Sequence, residues 1–161
     1  MQPADPADPN YAARIRASFA RQGIMVHLGA VLTRVEPGCC EIELPYKAEL
    51  SQQHGFFHAG VIATIADSAA GYAGFTLFPA DSTVLTVEFK INLLAPADGD
   101  RLRARGRVIR SGRTLTVCEL EAFVVKHGNE KICAHGMSTL ICLAGKSDAA
   151  KGDTSRDAAA G

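Results

Sequence analysis

One acidic residue, Asp67, lies within a long stretch of small and apolar residues that runs from Gly55 to Ala80. A carboxylate loses favourable hydration when it is buried, so an acid in an apolar segment is typical of a residue that takes part in chemistry. It can attack a carbonyl carbon directly or activate a water molecule for that attack. His58 lies nine positions earlier and adds a second titratable group. The structural alternative for Asp67 is a hydrogen bond to a neighbouring backbone group.

The composition predicts one folded domain with a disordered tail at each end. The chain has 161 residues, 47% of them hydrophobic, and a formal net charge of zero. This balance gives no electrostatic reason to expect a nucleic acid or an anionic membrane surface as a partner. Both ends of the chain are polar or small and lack apolar periodicity. We therefore expect disordered tails over residues 1–10 and 145–161 and a folded domain over 11–144.

The apolar stretch around Asp67 approaches the roughly 20 residues that cross a bilayer. Asp67, His58 and several glycines argue against a membrane helix, because an ionised acid near the middle of a lone span costs several kcal/mol. The N-terminal segment has neither the basic region nor the hydrophobic region of a signal peptide. We expect no membrane segment and a cytoplasmic protein.

The cysteines and histidines do not form a metal-binding pattern. The five cysteines are an odd number and form no Cys-x-x-Cys pair, which is typical of reduced thiols in the cytoplasm. Three of them, Cys118, Cys133 and Cys142, lie in strand-like runs, where a thiol behaves as a small apolar side chain. His54 and His58 are four positions apart, but no cysteine or acid stands at a companion spacing. We expect no metal site and no cofactor.

Apolar periodicity predicts a helix, two strands, one long helix and four further strands. Tyr11, Ile15 and Phe19 recur at helical spacing, and Gly23 ends that helix. The predicted elements are a helix over 11–21, strands over 26–32 and 40–44, a helix over 58–77, and strands over 83–94, 101–110, 114–125 and 130–143. This order indicates an α+β fold in which an antiparallel sheet wraps around one long central helix.

Arginines stand at every second position from Arg101 to Arg107 and therefore share one face of a predicted strand. The following strand carries two acids at alternate positions. The sequence predicts a cross-strand charge ladder on the solvent face of the sheet, with Arg105 opposite Glu119. In the same register, Arg103 stands opposite Glu121.

Two further arginines, Arg110 and Arg113, flank the predicted turn at Ser111 and Gly112. A turn with a cation on each side can hold a phosphate group. These two side chains are therefore candidate substrate-binding residues rather than members of the ladder.

The segment from Gln52 to Gly60, QQHGFFHAG, followed by Asp67, resembles the signature of the PaaI-type acyl-CoA thioesterases. In that family an Asn, a Gly and a His-Gly-Gly precede an Asp on the central helix. The later segment VEFKINLLAPADGDRLRARGRVIRSGRT is similar to the strand, Pro turn and Gly-Arg hairpin of the family. The resemblance covers roughly residues 26–143 and implies the hotdog fold and hydrolysis of an acyl-CoA thioester to the free acid and CoA.

The resemblance implies a role for each matching residue. Asp67 would be the nucleophile or the general base, and the backbone N–H groups of Ala59 and Gly60 would receive the oxyanion. Gln52 stands where the family usually has Asn, and it would orient the water or the carbonyl. Ala59 replaces the first Gly of His-Gly-Gly, but its N–H is retained. His58 would contact the thioester or hold the start of the helix.

The remaining site residues follow from the same resemblance. Thr86 matches a hydroxyl position that assists the nucleophilic water in the family, with an ordinary strand threonine as the alternative. Phe56 and Phe57 would line the acyl pocket, although aromatics beside a helix start are often core residues. The substrate-binding set is completed by Lys90, Asn92, Arg110, Gly112 and Arg113.

Helix geometry adds a prediction about assembly. His58 and Asp67 are nine positions apart, which corresponds to roughly 13 Å along one helix, so both cannot contact one carbonyl group. If both act on one thioester, two chains share each site, and we expect a homo-oligomer, either a dimer or a dimer of dimers. The alternatives to a thioesterase are a hotdog hydratase or dehydratase and a non-catalytic acyl-CoA-binding protein.

Overall fold

The computed structural model describes residues 5–146 and Asp148, so most of the predicted C-terminal tail and residues 1–4 lie outside the described residues. The described part begins with two helices, α1 (Tyr11–Ala20) and α2 (Gly23–Leu28), and two strands, β1 (Val31–Glu36) and β2 (Cys39–Pro45). A short 3-10 turn precedes the long helix α3 (Ala59–Phe75). The chain then forms β3 (Ser82–Leu93), β4 (Arg101–Ser111), β5 (Leu115–Lys126) and β6 (Asn129–Ala144).

The six strands form one antiparallel sheet in the order β1-β2-β4-β5-β6-β3, and α3 packs against its inner face. Apolar residues of α3 such as Ile62, Ile65 and Ala69 are buried against this face, which explains the absence of polar periodicity in the helix sequence. At Gly106 the backbone of β4 approaches the helix so closely that a Cβ atom would collide with the carbonyl oxygen of Ala69. The predicted hotdog architecture is confirmed.

One predicted strand is wrong. Residues 26–32 were expected to be extended, but Gly23–Leu28 is helical and β1 starts only at Val31. Met25 and Leu28 are buried at a spacing of three, which is a helical spacing, whereas Val26 is 68% exposed. Gly29 then ends the helix in the left-handed conformation, with φ of 77°.

The charge ladder exists, but its predicted register is wrong by two residues. Arg105 stands opposite Glu121, and Arg107 stands opposite Glu119. β4 ends at Ser111 and β5 starts at Leu115, so the connection lies one residue later than predicted, and a bulge shifts the register between Val108 and Arg110. Arg103 lies opposite Phe123 instead.

The N-terminal tail predicted for residues 1–10 is folded onto the domain at Asp8. This side chain is 5% exposed, and its Oδ2 lies 3.1 Å from Nε of Arg14. The guanidinium of Arg14 also donates to the carbonyl oxygens of Phe78 and Pro79 at 2.8 Å and 2.6 Å, just after the C-terminal end of α3. Asp8, within the predicted tail, therefore contacts the folded domain.

Strand β3 forms an edge of the sheet, with β6 on one side and no strand of the described chain on the other. Several of its large apolar side chains are exposed, including Leu85 (56%), Val87 (58%) and Phe89 (44%). An edge strand with this much exposed apolar surface is typical of a segment that pairs with another chain.

Two further findings concern the described part of the chain. No helix within it is long and apolar enough to cross a membrane. Its His, Cys, Asp and Glu side chains form no group of three or more that could hold a metal ion.

Candidate active site

Asp67 and Thr86 meet where α3 crosses β3. Thr86 Oγ1 donates a hydrogen bond of 2.9 Å to Asp67 Oδ1. Thr86 faces the helix because it stands opposite the buried Leu140 of β6, and directly opposed residues point to the same face of a sheet. A β-bulge at Val87 follows at once and shifts the register of the strand. The carboxyl group therefore has a single hydroxyl partner among the described side chains.

Burial changes the protonation behaviour of this acid. Asp67 is half-buried, and loss of hydration raises the pKa of its carboxyl group above the ordinary value. The hydrogen bond from Thr86 acts in the opposite direction and lowers the same pKa. A carboxylate with a raised pKa is a stronger base than an exposed one, which suits a general base or a nucleophile.

A cavity of about 330 Å³ opens beside Asp67 and Thr86. Its volume lies within the range that is usual for ligand sites. The wall is formed mainly by α3 and β3, and the segment after α1 closes one side. The residues that line it together with Asp67 and Thr86 are Ser18, Arg21, Gln22, Ser68, Gly71, Tyr72, Val84, Leu85 and Asp148.

The start of α3 presents one free backbone donor. His58 is the N-cap, and its ring Nδ1 accepts the N–H of Gly60 at 2.9 Å. The N–H groups of Val61 and Ile62 bond to the carbonyl oxygen of His58. Within the part of the chain that the structure describes, the N–H of Ala59 has no acceptor. Of the two predicted oxyanion donors, Gly60 is therefore already paired, whereas Ala59 is available.

Gln52 lies in a tight loop beside this helix start. Its side-chain Oε1 accepts the N–H of His54. Its backbone N–H donates to the carbonyl oxygen of Phe56, and its carbonyl oxygen accepts the N–H of Gly55. These bonds hold the side chain in place and use its oxygen, so the amide N–H₂ is the part that can reach a substrate.

A second cavity, of about 480 Å³, lies at the helix start and contains both Gln52 and Ala59 in its wall. Phe56 and Phe57 line it as well. Phe57 is only 3% exposed and stacks edge-on against Tyr46 with ring centroids 5.2 Å apart, so it also belongs to the core. Phe56 is less buried and faces the cavity more freely.

The predicted catalytic residues thus form two separate groups in one chain. Asp67 and Thr86 line the first cavity, while Gln52 and Ala59 line the second. Ala59 and Asp67 are eight positions apart in α3, which corresponds to about 12 Å along the helix axis. A single chain does not bring the free N–H group and the carboxylate to one carbonyl group.

The predicted substrate-binding residues outside these cavities lie in two places. Lys90 and Asn92 are exposed on β3 opposite Met137 and His135, on the sheet face that points away from α3, and Lys90 Nζ donates to Asn92 Oδ1 at 2.7 Å. The exposed residues Arg110, Gly112 and Arg113 lie at the β4–β5 hairpin. None of the five lines the cavity beside Asp67.

Sequence reasoning missed several polar residues of the first cavity. Ser68 and Tyr72 are four positions apart and share one face of α3, but they follow Asp67 by one and five positions, so helical spacing does not by itself place them beside Asp67. Ser18 and Gln22 come from the N-terminal segment, and no local pattern connects them with Asp67. Only the tertiary fold identifies them.

Comparison with known proteins decides the family. A model described as Thioesterase superfamily matches residues 54–131. The crystal structure of a thioesterase family protein from Silicibacter pomeroyi is 47% identical, has a TM-score of 0.82, and aligns with 84% of this chain and 99% of its own. The chain belongs to the thioesterase superfamily.

Other relatives agree with this assignment. The proofreading thioesterase EntH of Klebsiella pneumoniae is 26% identical over 73% of this chain and 85% of its own length. The E. coli PaaI protein is 20% identical with a TM-score of 0.75, covering 87% of this chain and 98% of that chain, which is a likeness of fold. The predicted membership of the hotdog thioesterases is confirmed, and the protein is a thioester hydrolase.

Proposed function

We propose that this thioesterase hydrolyses acyl-CoA thioesters and that Asp67 is its catalytic carboxylate. The observation that carries the proposal is the hydrogen bond of 2.9 Å between Thr86 and Asp67 at the wall of a cavity of about 330 Å³. Burial there raises the pKa of the carboxyl group. A positioned base beside a space for a reacting group is what hydrolysis of a thioester requires.

The oxyanion is received by the N–H of Ala59 at the first turn of α3. This N–H has no acceptor within the described chain, and the positive end of the helix dipole lies at the same point. The N–H of Gly60 contributes less, because the His58 ring already accepts it. His58 therefore acts by fixing the start of the helix. Gln52 orients the carbonyl or the water through its amide N–H₂.

Two routes are consistent with this arrangement. As a nucleophile, Asp67 bonds to the carbonyl carbon, the C–S bond breaks, CoA leaves as a thiolate, and water hydrolyses the resulting anhydride. As a general base, Asp67 takes a proton from water while the water oxygen bonds to the carbonyl carbon, and the C–S bond then breaks. A thiol has a pKa of about 8.5, so neither route needs a strong acid for the leaving group.

Each site is composed of residues from two chains. The separation of about 12 Å between Ala59 and Asp67 along α3 excludes a site within one helix. The edge of β3 that pairs with no strand of the described chain, with Leu85, Val87 and Phe89 exposed, supplies a surface for a second copy. Two copies paired antiparallel about a two-fold axis bring the helix start of one chain beside Asp67 of the other.

The CoA part of the substrate is bound at the surface. Arg110 and Arg113, on either side of Gly112, form a cationic hairpin for the nucleotide phosphates, and Lys90 and Asn92 add polar contacts on the outer face. Phe56 and Phe57 line the passage beside the helix start.

Incubation of the purified protein with a panel of acyl-CoAs and a thiol reagent tests this proposal. We expect release of free CoA, and we expect the Asp67→Asn variant to lose more than tenfold of kcat, equivalent to about 1.4 kcal/mol. The exposed Asp81 provides a matched control, since Asp81→Asn should keep its activity. A panel from which no CoA is released contradicts the proposed reaction, and an Asp67→Asn enzyme within tenfold of normal contradicts the role of Asp67.

A further inference from the structure

The cavity beside Asp67 continues along α3 towards the C-terminal end of the helix. Asp67 and Thr86 line it together with Ser18, Gln22 and Tyr72. Tyr72 follows Asp67 by five residues, which corresponds to about 7.5 Å along the helix axis. An acyl group whose carbonyl carbon lies at Asp67 therefore extends towards Tyr72.

Two hydrogen-bonded pairs of polar side chains line this cavity. Ser18 Oγ and Tyr72 Oη are 3.3 Å apart and share one hydrogen bond. Ser68 Oγ donates to Gln22 Oε1 at 3.5 Å. The backbone carbonyl of Gln22 caps α2 by accepting the N–H groups of Met25 and Val26, which holds this residue against the cavity.

A saturated alkyl chain is a poor occupant of such a space. It would cover the hydroxyl groups of Ser18, Ser68 and Tyr72 without replacing the hydrogen bonds that they make to water. A site built from hydrogen-bonding groups discriminates strongly against a ligand that lacks the matching group, because its own polar atoms are left unpaired.

The available atoms indicate a neutral partner. Two hydroxyl groups that share one hydrogen bond retain one O–H donor and several acceptor lone pairs, and the Gln22 amide adds two donors. A carboxylate is disfavoured because Asp67 and Asp148 both border the cavity, and the guanidinium of Arg21 already pairs with Asp148 at 2.6 Å. A hydroxyl group, which both donates and accepts, fits this set.

We propose that this subsite, defined by Ser18, Gln22, Ser68 and Tyr72, selects acyl groups that carry a hydroxyl group about one helical turn from the thioester carbonyl. The inference rests on the proposed function, because it takes Asp67 as the position of the reacting carbonyl. It goes beyond that function by naming the chemical class of the acyl group and the residues that recognise it.

Two pairs of probes test the proposal. In an extended 5-hydroxypentanoyl group the hydroxyl oxygen lies roughly 6 Å from the carbonyl carbon, which matches about one turn of α3. Pentanoyl-CoA has the same chain without the hydroxyl, and 3-hydroxypentanoyl-CoA carries it too close to the carbonyl. We expect kcat/KM to be at least about tenfold higher for the 5-hydroxy substrate than for either of the others.

Variants assign this preference to the subsite. Tyr72→Phe and Gln22→Leu should each bring the ratio between 5-hydroxypentanoyl-CoA and pentanoyl-CoA close to one while CoA release from pentanoyl-CoA continues. Tyr11→Phe removes a phenol that does not line the cavity and should leave the ratio unchanged. A ratio near one in the wild-type protein, or a ratio that survives both subsite variants, overturns the inference and leaves the proposed function intact.

Measurement of acyl-CoA binding distinguishes failure of the subsite proposal from failure of the proposed function. If neither substrate releases CoA, the proposed function is contradicted, and calorimetric titration of the same two acyl-CoAs then decides the inference by itself. Tighter binding of the 5-hydroxy compound that is lost in Tyr72→Phe supports the subsite. Equal affinity of the two compounds overturns it.

Discussion

Thr86 of β3 and Asp67 of α3 are 19 positions apart in the chain, and the hydroxyl of the first donates a hydrogen bond of 2.9 Å to the carboxylate of the second. This bond favours the charged form of Asp67, whereas burial favours the neutral form. The balance of the two effects sets the pH at which the carboxylate becomes a base.

Removal of the Thr86 hydroxyl should therefore shift the pH dependence of the reaction. In Thr86→Val the pKa of Asp67 rises further, so the acid limb of the kcat/KM profile should move to higher pH. Thr86→Ser should keep the wild-type profile. As a control, Thr139→Val removes a threonine hydroxyl that bonds Glu88 elsewhere on the sheet. An acid limb that stays in place in Thr86→Val means that Asp67 is not the titrating base.

The raised pKa of Asp67 also predicts a gain in stability when the acid is replaced. Because the pKa is higher in the folded state than in the unfolded state, the stability that the acid contributes is complete below its unfolded value and is lost as the pH rises through the folded value. Asp67→Asn should therefore be more stable than the wild type at pH 7. The difference should shrink towards roughly pH 3, below the ordinary aspartate pKa of about 3.9.

Urea unfolding at pH 7 and at roughly pH 3, at one fixed protein concentration, measures the difference in stability between Asp67→Asn and the wild type. Asp81→Asn, at an exposed position, should match the wild type at both. A lower stability of Asp67→Asn at neutral pH would show that the charged carboxylate is favoured by the fold.

The structure also predicts that His58 acts mainly on the helix. Its Nδ1 accepts the N–H of Gly60 at 2.9 Å, so His58→Ala should lower the free energy of unfolding by about 1 kcal/mol, as other lost N-caps do. His58→Asn supplies a capping oxygen and should restore most of the stability and of kcat. If His58→Asn is stable but has lost kcat more than tenfold, the imidazole contacts the thioester.

The cationic hairpin should act on binding rather than on chemistry. Changing both Arg110 and Arg113 to Ala should raise KM for acyl-CoA while hydrolysis of a short thioester without the nucleotide stays nearly unchanged, because the lost interaction is made equally in ground and transition states. The exposed pair Arg16 and Lys146 gives a control variant with the same loss of charge. Equal effects on both substrates would instead indicate that the hairpin has a structural role.

Particular residues show which elements of the fold could be predicted from the sequence and which could not. The apolar stretch around Asp67 predicted α3 correctly because its length and small residues decide between helix and strand. The strand expected at Val26 failed because Met25 and Leu28 fit a helical spacing, with Gly29 as the end signal. The register of Arg105 depends on a bulge and on the position of the β4–β5 connection, and neither is visible in an alternating pattern.

The candidate site, like the fold, could be predicted from the sequence only in part. Local spacing and family resemblance predict Gln52, Ala59 and Asp67 as site residues, and helix geometry indicates that Ala59 and Asp67 of one chain cannot contact the same carbonyl group. The use of the Gly60 N–H by His58 depends on a side-chain rotamer, which no sequence pattern specifies. Gln22 reaches the Asp67 cavity only because the N-terminal helices fold back over α3.

The composite site makes the most demanding prediction, because it tests the assembly and the chemistry together. Ala59→Pro removes the free N–H at the first position of α3, where proline is well tolerated by a helix. Asp67→Asn removes the carboxylate. Each variant alone should form dimers in which both sites are broken. In a mixed dimer, one site combines both defects, whereas the other combines an intact Ala59 with an intact Asp67.

Equal amounts of the two inactive variants, mixed and allowed to exchange, should recover roughly a quarter of the wild-type activity, because half of the dimers are mixed and each has one intact site out of two. Native mass spectrometry establishes that exchange has occurred. Mixing Asp67→Asn with the Asp67→Asn, Ala59→Pro double variant provides the control, since no pairing of these chains contains an intact carboxylate. If the exchanged mixture is as inactive as its parents, the carboxylate and the N–H donor do not meet across a subunit boundary.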